Sequence, residues 1–218
     1  MSKHETANSK ARSATAESLS DAVAALQRGD VIVFPTETLY GLGVDAFNSA
    51  AVEKVCQLKG RDPNSPFPVL VSDREMLLTL VVGVPPLAEK LMARFWPGPL
   101  TIVLPARNDI PRPLVNSGGG VGVRISSQPL ATELLKALGR PLTATSANPP
   151  GKPPARKVQA AKEYFADRID IFVDGGALKS KTGSTVVEVV GDTLKIIRAG
   201  DISKLQLERA AGNERILT

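Results

Sequence analysis

The sequence contains very little cysteine and histidine, the side chains on which many catalytic and metal sites depend. Among 218 residues there is one cysteine, Cys56, and one histidine, His4. A single cysteine excludes an internal disulfide and favours a reducing cytoplasm. One histidine in a polar N-terminal stretch argues against a Ser-His-Asp triad, a Cys-His pair and a histidine-rich metal site. Any chemistry must therefore use hydroxyls, carboxylates, lysine, arginine and backbone amides.

Aromatic residues and long apolar runs are also scarce. Aromatics make up 4% of the chain, which argues against a surface that stacks single-stranded nucleic acid. No apolar run is long enough for a membrane span, and residues 1–18 lack the apolar core of a secretory signal. The net charge is +5 without a long basic block. This charge favours an anionic partner such as a nucleotide, pyrophosphate or RNA, although a general mild basicity explains it equally well.

Strand and helix signals alternate along the chain. Short apolar runs predict strands, and amphipathic stretches between them predict helices. Gly191-Asp192, between two β-type stretches, predicts a two-residue hairpin. Because there is no repeat and no long linker, we predict one α/β domain with a mixed sheet over residues 15–205, a flexible tail at 1–14 and a second tail at 206–218.

The common nucleotide-binding signatures are missing. The P-loop pattern is absent, since the stretch Gly175–Thr182 has the wrong spacing, and no GxGxxG motif follows a predicted strand. The protein-kinase signatures are absent as well. A nucleotide would therefore bind to a less common arrangement of residues.

Two cations, Lys59 and Arg61, flank Gly60 at a predicted helix end. A purely structural explanation is that these positive charges interact favourably with the negative end of the helix dipole. If this stretch is extended, both side chains point to the same side and suit a polyphosphate.

Hydroxyls and glycines follow the first predicted strand. Thr36 and Thr38 share a face if their segment is extended, and Gly41 and Gly43 in the predicted loop permit close backbone approach to a ligand. A β-propensity effect is the alternative explanation for the threonines.

Two further groups of polar residues lie at predicted strand ends. Ser146 and Asn148 follow a strand at its C-terminal end, where ligands of α/β sheets bind, although such residues also form turns. The hairpin register places Arg198 near Thr185 and hence near Ser184. These side chains form either one end of a pocket or an ordinary cross-strand surface pair.

Six stretches together resemble the Sua5/YrdC/YciO family, and the resemblance covers roughly residues 17 to 203. In chain order they are PTETLYGLG, KGRDPNSPFPVLV, FWPGPLTIVLP, VGVRI, TSANPPGKPP and STVVEVVGDTLKIIRAGDIS. The chain is similar to the short, single-domain YrdC type. This resemblance implies an α/β (α+β) fold with a twisted mixed sheet, helices on both sides and a concave basic cavity.

The resemblance also implies an activity. Family members of this kind are threonylcarbamoyl-AMP synthases, which combine L-threonine, bicarbonate or CO2, and ATP, and release pyrophosphate. A threonylcarbamoyl-transferase partner then modifies adenosine 37 of tRNA. The resemblance thus implies a nucleotidyltransferase in the cytoplasm, with ATP as substrate, Mg²⁺ carried on the ATP rather than on protein ligands, and contact with tRNA or double-stranded RNA.

Transferred residue by residue, the resemblance implies two sets of site residues. Those expected at threonine are Thr38, Arg124, Ser146 and Ser184. Those expected at the nucleotide are Lys59, Arg61, Ser65, Asn148 and Arg198, with Lys59 and Arg61 also stabilising charge during catalysis.

Three residues depart from the family pattern. Leu70 stands where histidine is frequent, Gly120 where threonine is frequent, and Arg156 at the last threonine of the SGxxSPT pattern. They leave open a YciO-like paralogue that uses another amine. An RNA-binding protein without this chemistry is a further alternative.

Overall fold

The computed structural model describes residues 18–60, 66–180, 182–212 and 215–217. The helices of these ranges are α1 (Leu19–Gln27), α2 (Ser49–Lys59), α3 (Arg74–Leu78), α4 (Pro86–Phe95), α5 (Pro129–Leu138), α6 (Val158–Phe165) and α7 (Lys204–Ala211), with a 3-10 helix at Arg112–Leu114. The strands are β1 (Ile32–Pro35), β2 (Tyr40–Gly43), β3 (Val69–Leu70), β4 (Leu100–Pro105), β5 (Gly120–Arg124), β6 (Leu142–Thr143), β7 (Thr145–Ser146), β8 (Ile171–Phe172), β9 (Thr185–Val190), β10 (Thr193–Arg198) and β11 (Arg215–Leu217). None of the described helices is both long enough and apolar enough to span a membrane.

The strands form two mixed sheets. The first has the order β7-β2-β1-β8 and the second the order β11-β10-β9-β4-β5-β3-β6. In the first, β1 pairs antiparallel with β2 and parallel with β8. In the second, β4 pairs antiparallel with β5 and parallel with β9. The predicted mixed α/β architecture is confirmed, but the strands divide between two sheets.

Helices cover both faces of β1. Successive side chains of a strand point to opposite faces, and here Ile32 and Phe34 pack in one cluster with residues of α1 and α5. Val33 packs in the other cluster, with residues of α2 and α6. The apolar run that signals β1 in the sequence is therefore continuous because both of its faces are buried.

The local chemistry of α2 fixes the position of Lys59. Asn48 caps the start of this helix by accepting a hydrogen bond from the Ala51 N–H. Gly60 ends it with a φ of 51°, a left-handed conformation that glycine adopts without strain. Lys59 is thus the last helical residue, so the extended conformation considered for this stretch does not apply to it. Its predicted companion, Arg61, lies outside the described residues.

The segment from 40 to 43, predicted as a loop, is β2. A tight turn connects it to β1, and the ladder runs from Pro35 opposite Tyr40 to Ile32 opposite Gly43. The predicted strand that precedes Ser146 is in fact two short strands, β6 and β7, which belong to different sheets. The second of them, β7, pairs with β2 and places Ser146 opposite Gly41.

The C-terminal stretch predicted as a tail, 206–218, contains most of α7 and all of β11. In α7, Leu207 and Ala211 are buried, and β11 pairs parallel with β10. The predicted boundary at residue 205 therefore falls inside a helix that packs on the core. The N-terminal tail predicted at 1–14 lies outside the described residues.

Candidate active site

A cavity of about 830 Å³ lies between the two sheets, a volume typical of small-molecule sites. Its lining includes residues of β2 and β7 from the first sheet and of β4, β5, β9 and β10 from the second. Lys59, Arg124 and Arg198 are its charged lining residues, and within the described ranges no carboxylate lines it. Three cations without a lining acid favour an anionic ligand.

One end of the cavity is formed by the turn between β1 and β2. The Thr36 hydroxyl accepts hydrogen bonds from the Thr38 and Leu39 N–H groups and donates to the Leu39 carbonyl at 2.7 Å. This closed turn leaves the Thr38 hydroxyl 3.0 Å from that of Thr36 and 3.3 Å from Nη1 of Arg124. Thr36 therefore shapes the turn, and Thr38 presents a hydroxyl beside a cation.

The Lys59 ammonium is buried against the segment that follows β7. It donates to the Ser146 carbonyl at 2.8 Å, to the Asn148 carbonyl at 2.6 Å and to Oδ1 of Asn148 at 3.1 Å. Because an ammonium has three N–H donors, these contacts fix the backbone of that segment. Lys59 thus supplies positive charge to the cavity and also holds Ser146 in place.

Arg124, at the end of β5, is almost completely buried. Its Nη1 lies 3.0 Å from Oε1 of Glu37, and the other carboxylate oxygen of Glu37 accepts a hydrogen bond from the Ser126 hydroxyl. Burial lowers the pKa of the Arg124 guanidinium, while the Glu37 and Asp201 carboxylates offset part of that effect. Arginine is the side chain that proteins use as a permanent cation, so Arg124 supplies positive charge to this part of the cavity.

Another part of the cavity lining is formed by the start of β9 and the end of β10. Nη2 of Arg198 donates to the carbonyl and hydroxyl oxygens of Ser184 at 2.8 and 2.9 Å. The Thr101 hydroxyl also donates to the Ser184 hydroxyl oxygen, at 3.1 Å. A register shift between Ile196 and Arg198 makes Val186, rather than the predicted Thr185, the partner of Arg198. Such a bulge turns neighbouring side chains to one face.

Most of the predicted site residues meet in this cavity. Those that line it are Thr38, Lys59, Arg124, Ser146, Ser184 and Arg198. Asn148 does not line it, because its side chain contacts Lys59 and donates to the Lys152 carbonyl. Arg61 and Ser65 lie outside the described residues.

The three departures from the family pattern lie in different environments. Leu70 is fully buried in the core cluster that contains Ile32 and Phe34, and it does not line the cavity. Gly120 lines the cavity, where a Cβ would stand 2.6 Å from a methyl carbon of Val103. Arg156 is exposed and its carbonyl accepts a hydrogen bond from the Leu178 N–H.

Sequence reasoning missed Glu37, Ser126, Thr101 and Tyr40. Glu37 pairs with Arg124, Ser126 donates a hydrogen bond to Glu37, and Thr101 donates one to Ser184. A carboxylate between two threonines at the end of a buried strand was an available signal for Glu37. The Tyr40 hydroxyl contacts Asp174, Gly175 and Gly176, residues more than a hundred positions away, and nothing in the sequence indicates that contact.

Comparison with known proteins identifies the family. Residues 24–200 match the Sua5_yciO_yrdC family, described as "Telomere recombination". The chain belongs to the Sua5/YciO/YrdC family. Within the described ranges of this Sua5/YciO/YrdC chain, no three His, Cys, Asp or Glu side chains cluster as a protein metal site would require.

Two curated relatives are named threonylcarbamoyl-AMP synthase, one of them as putative. The chain is 39% identical over 195 residues to the threonylcarbamoyl-AMP synthase of Bacillus subtilis, an overlap of 89% of this chain and 56% of the relative. It is 35% identical over 191 residues to the putative threonylcarbamoyl-AMP synthase of Mycobacterium tuberculosis, covering 88% of each. The chain therefore spans about half the length of the first relative and most of the second.

Solved structures of the family share the fold. Pyrococcus abyssi Sua5 complexed with L-threonine superposes with a TM-score of 0.85 at 34% identity, over 91% of this chain and 58% of that one. Escherichia coli YciO superposes with a TM-score of 0.76 at 30% identity, over 84% and 89%.

Proposed function

We propose that this chain is a threonylcarbamoyl-AMP synthase. It would make threonylcarbamoyl-AMP from L-threonine, bicarbonate or CO2, and ATP, with release of pyrophosphate. The observation that carries the proposal is the cavity itself, to whose lining the described residues contribute three cations and several hydroxyls but no carboxylate. Membership of the Sua5/YciO/YrdC family and the shared name of the relatives support the same activity.

Threonine would bind around Arg124. The guanidinium would pair with the substrate carboxylate, since arginine and carboxylate form two parallel hydrogen bonds. Its Nε is a buried donor without a partner in the described part of the chain, so Arg124 retains hydrogen-bonding capacity for a ligand. The hydroxyls of Thr38, Ser146 and Ser184 would contact the remaining polar groups of the amino acid.

ATP would bind along the cations. Lys59 and Arg198 would lie at the phosphates together with Arg61, while Asn148 and Ser65 would contact the nucleotide. Magnesium would arrive as the complex with ATP, because Mg²⁺ in phosphoryl chemistry is commonly held by substrate phosphates and water. These cations would stabilise the charge that develops on the departing pyrophosphate.

The reaction consists of two bond-forming steps. The neutral amine of threonine attacks the carbon of CO2, a C–N bond forms, and loss of one proton from nitrogen gives a carbamate. A carbamate oxygen then attacks the α-phosphorus of ATP, and the bond from that phosphorus to pyrophosphate breaks. Both steps depend on alignment and charge stabilisation, which agrees with a cavity built from arginine, lysine and hydroxyls.

The product would be passed to a threonylcarbamoyl-transferase for modification of adenosine 37 in tRNA, in the cytoplasm. Direct contact with tRNA or double-stranded RNA would use the basic cavity rim through phosphates, since the aromatic content of 4% gives little base stacking. This contact would weaken steeply as salt concentration rises.

The test is pyrophosphate release from ATP, with each co-substrate omitted in turn. We expect release only when L-threonine and bicarbonate are both present. Arg198→Ala should lower kcat/KM by about 10- to 100-fold, because it removes a cation from the charge-stabilising set. The matched control, Arg107→Ala, removes an exposed arginine outside the cavity and should change kcat/KM by less than about twofold.

Two outcomes would overturn the proposal. A wild-type protein that binds ATP but releases no pyrophosphate with any combination of threonine and bicarbonate would indicate a YciO-like paralogue, for which other amines would be tested. Salt-sensitive tRNA binding that is indifferent to ATP, without adenylate formation, would indicate an RNA-binding protein.

A further inference from the structure

The ion pair between Glu37 and Arg124 connects the two sheets. Glu37 lies in the turn between β1 and β2 of the first sheet, and Arg124 ends β5 of the second. The exposed fractions of their side chains are 15% and 5%. A pair this buried is costly to break, because the group left behind is an unpaired charge without water. The orientation of the guanidinium is therefore tied to Glu37.

Arg124 faces the cavity, whereas the residues that hold its guanidinium lie outside the cavity lining. Arg124 and Thr38 line the cavity, whereas Glu37 and Ser126 do not. Oε1 of Glu37 faces Arg124, and Oε2 accepts a hydrogen bond from Ser126, whose hydroxyl also accepts one from the Gln128 N–H at 3.2 Å. Both carboxylate oxygens thus have a fixed partner, and the carboxylate cannot rotate without losing one of them.

We propose that Glu37 is a positioning residue that holds the Arg124 guanidinium toward the cavity for the carboxylate of an amino-acid substrate, with Ser126 fixing Glu37. This inference rests on the proposed function, because it takes the ligand of Arg124 to be a substrate carboxylate. It adds a residue that does not itself contact the substrate. It also assigns a role to the glutamate between the two threonines of the β1–β2 turn.

Two effects of Glu37 on substrate binding oppose each other. Its negative charge competes with the substrate carboxylate for Arg124, which alone would weaken binding. Its hydrogen bond holds the guanidinium in a dry position that an unpaired arginine does not keep, since the unpaired side chain gains solvation by moving to water. Burial of the pair makes the second effect the larger one, so removal of the charge on Glu37 should weaken substrate binding.

The experiment measures the Kd values of L-threonine and of ATP separately by calorimetry. Glu37→Gln keeps the shape of the side chain and removes its charge. We expect the Kd of L-threonine to rise about tenfold or more, and that of ATP to change by less than about twofold. The matched control is Asp45→Asn, which neutralises the partner of the exposed Arg140 outside the cavity. It should leave both values within about twofold.

A double-mutant cycle separates positioning from general damage. Arg124→Ala should weaken threonine binding by itself, and addition of Glu37→Gln to it should cause little further loss, because the two residues act as one unit. Ser126→Ala should give an intermediate rise of about two- to fivefold in the same Kd, and it keeps the inference testable if Glu37→Gln does not fold. Glu37→Asp keeps the charge and should retain part of the wild-type affinity.

The outcomes have distinct meanings. Threonine binding that is unchanged or tighter in Glu37→Gln, or losses that simply add in the double variant, would overturn the positioning role and leave the synthase proposal intact. A wild-type protein that binds no L-threonine would overturn the proposed function and this inference together.

Discussion

Tyr40 is fully buried, and its hydroxyl connects β2 to the segment after β8. The oxygen lies 3.0 Å from Oδ1 of Asp174 and 2.8 Å from the Gly176 carbonyl, and it accepts a hydrogen bond from the Gly175 N–H. Burial and the neighbouring Asp174 carboxylate raise the pKa of Tyr40 to about 12, with the Gly175 hydrogen bond opposing them. One side chain therefore fixes the wall of the cavity at this point.

Tyr40→Phe should reduce the free energy of unfolding at pH 8 by about 0.5–1.5 kcal/mol, because the hydrogen bonds of the Tyr40 hydroxyl with Asp174, Gly175 and Gly176 are lost. The variant should also change the pH dependence. In the wild type the unfolded tyrosine loses its proton near pH 10 while the folded one keeps it, so stability falls between pH 10 and 12 by at most ~1.4 kcal/mol per pH unit.

The measurement is urea unfolding from pH 8 to 11 for the wild type, Tyr40→Phe and the control Tyr164→Phe. In Tyr164→Phe the free energy of unfolding should fall with rising alkaline pH as it does in the wild type, because Tyr40 is still present. In Tyr40→Phe the part of this fall that comes from Tyr40 should be absent. Parallel stability curves for the wild type and Tyr40→Phe would contradict the assignment.

At the residue scale, the sequence indicated candidate site residues among the arginines and lysines. It did not indicate contacts between residues that are far apart in the chain. Arg124, named through the family resemblance, and Arg198, named from the hairpin register, both line the cavity in the structure. Glu37 was overlooked because a glutamate in a turn is usually solvated, and only the fold brings Arg124 to it. Lys59 was predicted as a phosphate ligand, and the structure adds its contacts with Ser146 and Asn148.

At the scale of elements, Gly43 illustrates how packing selects a residue. A Cβ on Gly43 would lie 2.7 and 2.9 Å from two ring carbons of Phe34, closer than van der Waals contact. The predicted reason for this glycine was close approach to a ligand. In the structure Gly43 does not line the cavity, and it makes room for an aromatic ring across the β1–β2 ladder.

Gly43→Ala should therefore lower the free energy of unfolding by about 1–3 kcal/mol through overpacking. Gly83→Ala is the matched control, since no heavy atom lies within 4 Å of its added Cβ, and it should be neutral or stabilising by up to about 1 kcal/mol. Urea unfolding of both variants measures the difference. Equal stability of the two would show that Phe34 moves aside without cost.

The elements best predicted from the sequence were those with a regular pattern of apolar residues and a turn-forming residue at the end. The hairpin of β9 and β10 has the predicted pairing of Val190 with Thr193, because a Gly-Asp turn fixes the register. The bulge near Arg198 was not predicted, since a bulge is an adjustment to neighbouring strands. The prediction joins the short strands β6 and β7, because only one residue, Ala144, separates them where the chain passes from one sheet to the other.

At the scale of the molecule, α7 packs against α4 and belongs to the domain. Leu207→Ala should lower the free energy of unfolding by about 2–5 kcal/mol, because this side chain is fully buried in the main core. The matched control Leu205→Ala removes the same atoms from a side chain that is 54% exposed and should cost less than about 0.5 kcal/mol. Thermal unfolding of the two variants checks this. A loss from Leu207→Ala as small as that from Leu205→Ala would indicate that α7 is not part of the cooperative unit.

The division into two sheets could not be predicted from the sequence. Alternation of strands and helices indicates an α/β domain, but pairings such as β1 with β8 and β4 with β9 join residues far apart in the chain. Local patterns contain no information about which distant strands meet. The family resemblance supplied the cavity, because it transfers a complete three-dimensional arrangement.

The placement of the cavity between sheets has a consequence for how the site comes into existence. Ser146 belongs to the first sheet and Arg198 to the second. The contact of Ser146 with Lys59 of α2 joins segments that lie far apart in the chain, and Arg198 contacts Ser184. Ligand affinity should therefore require both sheets to be in place, and it should be lost when the domain unfolds.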